Sequence, residues 1–337
     1  METIWFCLVA FSLAAYVVLD GFDLGVGAVH WLVARSSEER AKSLETIGPF
    51  WDGNEVWLLA GGGTLYLAFP TLYASAFSGF YLPLMIVLWL LILRGIAIEF
   101  RHLIHDDMWT PLWDVVFSGA SALLAIVFGA ALGNVVRGVP LDANQEFFLP
   151  LWTDFRVSAN PGILDWYTIL TGLLALAALS QHGALWICLK AHDPLESRAT
   201  EVAHRLTPVV AALTAIVTIA SFSVRPALIG NFAAMPWGGL FPIIAVGSLW
   251  VVHTRKSFAA SCAYLASMLV SVVFSVYPEV LPASPGAKPL TIQNTAASAY
   301  GLQVGLVWWI PGLLLAVGYA VFLYRRFAGK PDRSSAT

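Results

Sequence analysis

Charge is what this sequence has least of: 12% of its 337 residues are Asp, Glu, Lys or Arg, about half the roughly 25% of an average soluble domain. That scarcity excludes an ordinary soluble enzyme. Cysteine is rarer still, and Cys7, Cys188 and Cys262 each fall inside an apolar stretch. Without a CxxC pair or zinc spacing they read as small buried hydrophobes, neither disulfides nor metal ligands. The chain has no phosphate loop, GxSxG or HExxH, so the common soluble catalytic signatures are absent. A net charge of −3 is too small to suggest a nucleic-acid partner. Met1, Glu2 and Thr3 lack the positive n-region of a secretory peptide, and the apolar run behind them exceeds an h-region, so the first span is expected to be retained.

What is abundant is apolar surface: 58% of residues are hydrophobic, 14 are Trp, and the mean hydropathy is +0.75. Since about 20 consecutive apolar residues cross the hydrocarbon of a bilayer, hydropathy predicts nine spans. They lie at roughly 4–33, 54–74, 79–101, 114–134, 163–190, 207–223, 238–253, 258–278 and 303–325. These runs are too long and too uniformly apolar for porin strands of about ten alternating residues, so the expected fold is an all-α polytopic membrane bundle.

Lys and Arg accumulate in loops that stay cytoplasmic. Arg35, Arg40, Lys42, Arg101, Lys190, Arg198, Arg205, Arg255, Lys256, Arg325, Arg326, Lys330 and Arg333 follow odd-numbered spans, whereas the opposite side has only Arg137, Arg156, Arg225 and Lys288. This asymmetry puts the N-terminus outside and the C-terminus inside. The long loop at 135–162, with Asp142, Glu146, Asp154 and Arg156, reads as a solvated outer cap. A faint echo also runs through the chain at an offset of 158, aligning Asp23 with Gln181, Gly25 with Gly183, and Glu38, Arg40 and Ala41 with Glu196, Arg198 and Ala199. An even number of crossings lies between the copies, so a duplication gives two parallel four-helix units, 1–134 and 163–278, and a remainder, 279–337, that holds the ninth helix.

An acid at the centre of a membrane helix costs about 2.5–3.5 kcal/mol on insertion scales, which makes intramembrane carboxylates functional candidates. Asp20 and Asp23 stand three residues apart in span one, on one helix face. The second span opens with Trp51-Asp52-Gly53-Asn54-Glu55-Val56-Trp57, placing Asp52 at its cytoplasmic mouth, where a helix N-terminus favours an anion. Trp51 and Trp57 read as interfacial anchors or packing residues. Arg94 and Glu99 end span three and Asp114 begins span four. The derived topology therefore gathers Asp20, Asp23, Asp52, Glu55, Glu99 and Asp114 around Arg94 in the inner half of four helices. Such a gathering fits either an ion-pair network that fixes packing, with Arg94 balancing charge, or a proton relay. Haem ligation needs facing imidazoles, but His102, His105, His192 and His204 lie near loops, His30 and His253 near inner helix ends, and His182 alone lies well inside a span.

The strings Asp20-Gly-Phe-Asp23-Leu-Gly25-Val-Gly27, Pro49-Phe-Trp51-Asp52-Gly53-Asn54-Glu55-Val-Trp57 and Ala76-Phe-Ser-Gly79-Phe-Tyr81 closely resemble subunit II of the cytochrome bd-type quinol oxidases. The short loops and Arg94-Gly-Ile-Ala-Ile-Glu99-Phe-Arg101 look most like the cyanide-insensitive branch. The resemblance is strong over residues 1–135 and weaker beyond. It implies a nine-helix subunit of the bacterial inner membrane, paired with a subunit I that carries haem b and haem d, in a complex that oxidises quinol and reduces dioxygen to water. It further implies that this chain binds no cofactor and performs no catalysis alone, that Asp52 stands where a family acid begins a cytoplasmic proton path, and that Asp23 and Asp114 match acids of hydrophilic channels. Glu55 and Glu99 occupy positions where relatives carry Gln or Asp. The resemblance leaves room for a small third subunit and for a bound lipid or quinone, and no residue here locates either.

Two other readings use the same residues. A self-sufficient secondary transporter would couple substrate to protons through the same acids, with Pro70, Pro83 and Pro242 breaking its helices, and a structural scaffold would use them only for packing. The orientation is the directly testable part: a reporter fused after Arg333 should be active only on the inner side, and activity confined to the outer side would reverse the topology.

Overall fold

The computed structural model describes residues 1–104, 106–158, 160–254 and 256–330; His105, Arg255 and Arg333, considered above, lie outside the described residues. Twelve helices follow in order: α1 (Glu2–Val33), α2 (Ser37–Glu45), α3 (Trp51–Ala68), α4 (Pro70–Gly79), α5 (Tyr81–Phe100), α6 (Trp109–Arg137), α7 (Trp166–Lys190), α8 (Leu195–Val224), α9 (Ile229–Ala234), α10 (Leu240–Val251), α11 (Ser257–Val276) and α12 (Ala299–Arg326). Among the described residues α1, α5, α6, α7, α8, α11 and α12 are long and apolar enough to cross a membrane. An eighth crossing arises only if the segments Pro226–Ala234 and Pro236–Val251, bent by 114°, are one span.

The remaining expected span, 54–74, is divided between α3 and α4. Pro70 has no N–H to donate and disfavours helical geometry in the residue before it, and Phe69 accordingly sits at φ −134°, ψ 65° between the two helices. Asp52, Asn54 and Glu55 in the first turns of α3, with Gly61, Gly62 and Gly63 behind them, keep it out of the helices apolar enough to cross.

The 32 residues of α1 extend about 48 Å, more than the hydrocarbon thickness, and this helix is the axis of the fold, packed against α3, α6, α7 and α11. Its closest neighbour is α7. A Cβ on Gly25 would lie 2.6 Å from the backbone nitrogen of Gly183 and 2.8 Å from its Cα. The two backbones are therefore in direct contact, a distance only small residues permit.

Three apolar layers follow along the bundle. One end joins Trp5, Phe69, Phe147, Leu149, Leu281 and Leu302; the middle joins Leu24, Leu124, Val210 and Tyr264; the other end joins Phe22, Val33, Leu44, Phe50, Ala97 and Trp186. In the first of these, the expected solvated cap is partly core. Phe147 lies against Gly79, Leu149 is 1% exposed, and Val139 N donates to Pro282 O at 3.0 Å beside the short antiparallel pair Glu279–Leu281 and Leu290–Thr291. Under this cap Arg137 ion-pairs with Asp165, which also caps α7 through the N–H groups of Tyr167 and Thr168.

α12 is different. Leu302 is its single buried residue, and polar contacts fix it: Trp5 Nε1 donates to Leu302 O (3.2 Å), Trp309 Nε1 to Thr64 Oγ1 (2.9 Å), Tyr324 OH to Asn54 Oδ1 (2.9 Å) and Lys190 Nζ to Phe327 O (2.5 Å).

The α1–α7 crossing yields a sharp expectation. Gly25→Ala or Gly183→Ala should destabilise the protein by about 1–3 kcal/mol through overpacking, read as a lower melting temperature in detergent. Gly62→Ala, where an added Cβ meets nothing within 4 Å, should leave it unchanged.

Candidate functional site: two buried charge clusters

The sequence-derived acids separate into two groups. In the first, Asp20 and Asp23, both fully buried on consecutive turns of α1, face the first turns of α3 and the inner part of α5. Arg94, also fully buried, places Nη1 at 2.8 and 2.9 Å from the two oxygens of Asp20, and its Nη2 donates to Glu55 Oε1 at 3.1 Å. Asn54 Nδ2 donates to Asp23 Oδ2 at 2.8 Å, and Asn54 Oδ1 accepts from Tyr324. Three carboxylates therefore stand around one guanidinium, two of them paired with it. Burying charge without a counter-charge costs several kcal/mol per ion, so the surplus acids call for protons or water beside them. Asp23 Oδ1 and Arg94 Nε are buried with no partner among the described residues, and buried polar atoms in folded proteins are otherwise almost always paired with protein or ordered water.

The second group has the opposite balance. Asp114 on α6 is fully buried, with a cation on each oxygen: Arg101 Nε donates to Oδ1 at 2.6 Å and Arg40 Nε to Oδ2 at 2.8 Å, while His30 Nε2 lies 3.1 Å from Oδ1. Arg101 Nη2 also donates to Ser37 O at 3.0 Å, and the Arg40 guanidinium lies 4.4 Å from the centre of the Trp31 ring. Arginine's fixed fork suits such multiple bonding. The cluster ties α1, α2, α5 and α6 together. Close by, Arg198 on α8 pairs with Glu39 on α2 and holds that surface carboxyl below its ordinary range.

Asp52 is exposed at the start of α3, one turn before Glu55, whose side chain is 26% exposed. Glu99 is exposed on α5 and joins neither group. Trp51 packs on the core beside Gly95, and Trp57 is buried with its ring edge-on to Phe11 at 6.0 Å. Asn54 is hidden inside the motif around Asp52, and nothing in the sequence pattern marks Arg40 and Arg101 as partners of Asp114. Tyr324, 270 residues from Asn54, has no sequence signal that would connect it with these acids.

Four of the described imidazoles have their surroundings defined. His182 is engaged at both nitrogens, Nδ1 with Ser261 Oγ (2.7 Å) and Nε2 with Val18 O (2.9 Å), and stacks on Phe258. His30 is committed to Asp114 through Nε2. His204 and His253 face each other with ring centres 4.6 Å apart, but on the exposed surface. Among the described residues no cluster of three or more His, Cys, Asp or Glu has metal-holding geometry.

Comparison with known proteins places these features in context. A family model described as cytochrome bd terminal oxidase subunit II matches residues 1–327. The cytochrome bd ubiquinol oxidase subunit 2 of Bacillus subtilis is 30% identical, over 97% of this chain and 96% of its own length. The probable cytochrome oxidase subunit 2 of Haemophilus influenzae is also 30% identical, over 98% and 95%. The cytochrome bd-I ubiquinol oxidase subunit 2 of Escherichia coli K12 is 27% identical, over 98% and 95%. A chain of the bd oxidase from Geobacillus thermodenitrificans shares the fold, with a TM-score of 0.73 at 19% identity, covering 97% of this chain and 98% of that one.

Arg94→Gln should destabilise the protein by about 3–5 kcal/mol, because it leaves buried carboxylates without a partner, and a detergent melt measures the loss. Adding Asp20→Asn to it should restore part of that stability, since the pair is then removed together.

Proposed function

Because the chain belongs to the cytochrome bd terminal oxidase subunit II family, and is thus one subunit of a quinol oxidase complex with a partner subunit I, we propose that its Arg94-centred acid cluster conducts protons toward that partner. Reduction of dioxygen to water consumes protons, and a membrane complex must bring them through an apolar medium. A line of carboxylates and water does this where each member can hold a proton in turn.

The carrying observation is the surplus of acid beside buried polar atoms without a partner among the described residues: Asp20, Asp23 and Glu55 against Arg94, with Asp23 Oδ1 and Arg94 Nε calling for water. Asp52, exposed one turn before half-buried Glu55, is the uptake point. Protons pass from Asp52 to Glu55, then to Asp20 and Asp23, and leave for subunit I. Arg94 keeps the acids together and balances part of their charge. Asp114, with every oxygen taken by cations, lines the same end of the bundle as a brace, and Glu99 faces away.

The proposal includes the wider setting. Haem b, haem d and quinol oxidation belong to subunit I, and this chain is the haem-free member. Its spans number nine, arranged as two four-helix units that meet where Gly25 packs on Gly183, with α12 as the ninth. The excess of Lys and Arg at the α2 end puts that end in the cytoplasm and the N-terminus outside, in a bacterial inner membrane. The transporter reading draws no support from its prolines: Pro83 and Pro242 lie within continuous helices, and the break before Pro70 falls at Phe69, in the apolar layer that holds Trp5.

Asp52→Asn in the assembled complex should lower oxygen consumption and proton uptake about tenfold or more with haem content unchanged in the optical spectrum. Full oxygen consumption with normal proton uptake would remove Asp52 from the path.

A further inference from the structure

We propose that Tyr324 is a positioning residue that dictates which oxygen of Asp23 carries the proton. The inference rests on the proton-line reading above and adds a direction to it. A primary amide turned by half a rotation exchanges its oxygen and nitrogen at little steric cost, so the partners of Asn54 decide how it sits. Two partners are present. Asp23 Oδ2 accepts from Nδ2 at 2.8 Å, and Tyr324 OH donates to Oδ1 at 2.9 Å.

The tyrosine makes this arrangement one-sided. Its ring lies among Phe50, with centres 4.8 Å apart, Phe22 at 6.4 Å and Trp186 at 6.2 Å. Among the described residues Asn54 Oδ1 is the acceptor for its hydroxyl proton. If Asn54 turned over, Nδ2 would face the phenol and the part-buried hydroxyl would lose Oδ1 as the acceptor of its proton, at the cost of one hydrogen bond. The amide N–H therefore stays aimed at Asp23 Oδ2, and a proton on that oxygen would meet a donor head-on. The proton is left with Oδ1, the buried oxygen that has no partner among the described residues. Asp23 is thus loaded and unloaded at a single atom, on the side away from Asn54, and the device depends on a residue of α12, the least buried long helix.

The experiment uses the assembled oxidase complex, with haem content measured in every variant. Tyr324→Phe, which keeps the ring in its aromatic pocket, should lower oxygen turnover about 2- to 12-fold, the range of one buried hydrogen bond, and move the pH of half-maximal turnover. Asn54→Leu should do the same, and the double variant Asn54→Leu/Tyr324→Phe should be no worse than Asn54→Leu alone, since Tyr324 acts through Asn54. Unchanged turnover and pH profile in Tyr324→Phe, or additive losses in the double variant, would overturn the assignment. Should Tyr324→Phe lose haem, Asn54→Leu decides: a moved pH profile supports the proposal and an unmoved one overturns it. Asp23→Asn separates the two levels. If it retains full turnover and proton uptake, the proton line itself fails; if it is impaired while Tyr324→Phe behaves as wild type, only the positioning role fails.

Discussion

The bond between Arg94 and Asp20 is the constraint on which the rest of this molecule turns. A guanidinium with no exposed surface, in a bundle whose neighbours are mostly aliphatic, has to be met by acid. Meeting it requires α1 to bring a carboxylate to that depth, α3 to begin where Glu55 reaches across, and α5 to run alongside both. The polar first turns of α3 then become intelligible. They make it a poor membrane helix by composition, yet they are what the buried arginine demands. Apolar burial assembles the helices, while this one ion pair fixes which parts of them lie opposite.

The two charge clusters carry opposite imbalances, and on the proposed reading the contrast separates bracing from conduction. Around Asp114 the donors outnumber the acceptors and both carboxylate oxygens are occupied, so the group is held in one state. Around Arg94 the acids outnumber the base and oxygen atoms remain open. A group that exchanges protons needs such openness, and one that ties four helices together does not. Both clusters lie at the same end of the bundle, next to an exposed surface rich in cations.

Much of this was legible in the sequence. Hydropathy placed an apolar segment over each long helix, the three-residue spacing of Asp20 and Asp23 put them on one face, and the lone Arg94 among acids marked the cluster. Other features were not. The break at Phe69 is local backbone chemistry of Pro70, which a hydropathy average passes over because both neighbours are apolar. The division of the acids into two groups depends on helix rotation: Glu99 and Arg94 lie on one helix five residues apart, enough to send one outward and the other inward. Tyr324 and Asn54 meet only through the tertiary fold, and Phe147 and Leu149 were read as loop residues because nothing in a short segment reveals that it folds back over a helix end.

The sparse attachment of α12 has one more consequence. Hydrocarbon against hydrocarbon offers no vertical index, since one aliphatic side chain serves as well as the next and a helix can ride up or down by a turn at little cost. An indole, a phenol and an ammonium each find their mate at a single height. With its latches along the side that faces the bundle and its other side bare, α12 is therefore gauged in depth but loosely sprung sideways, and whatever leans on its outer flank can tilt it about those fixed points without changing its level in the bilayer.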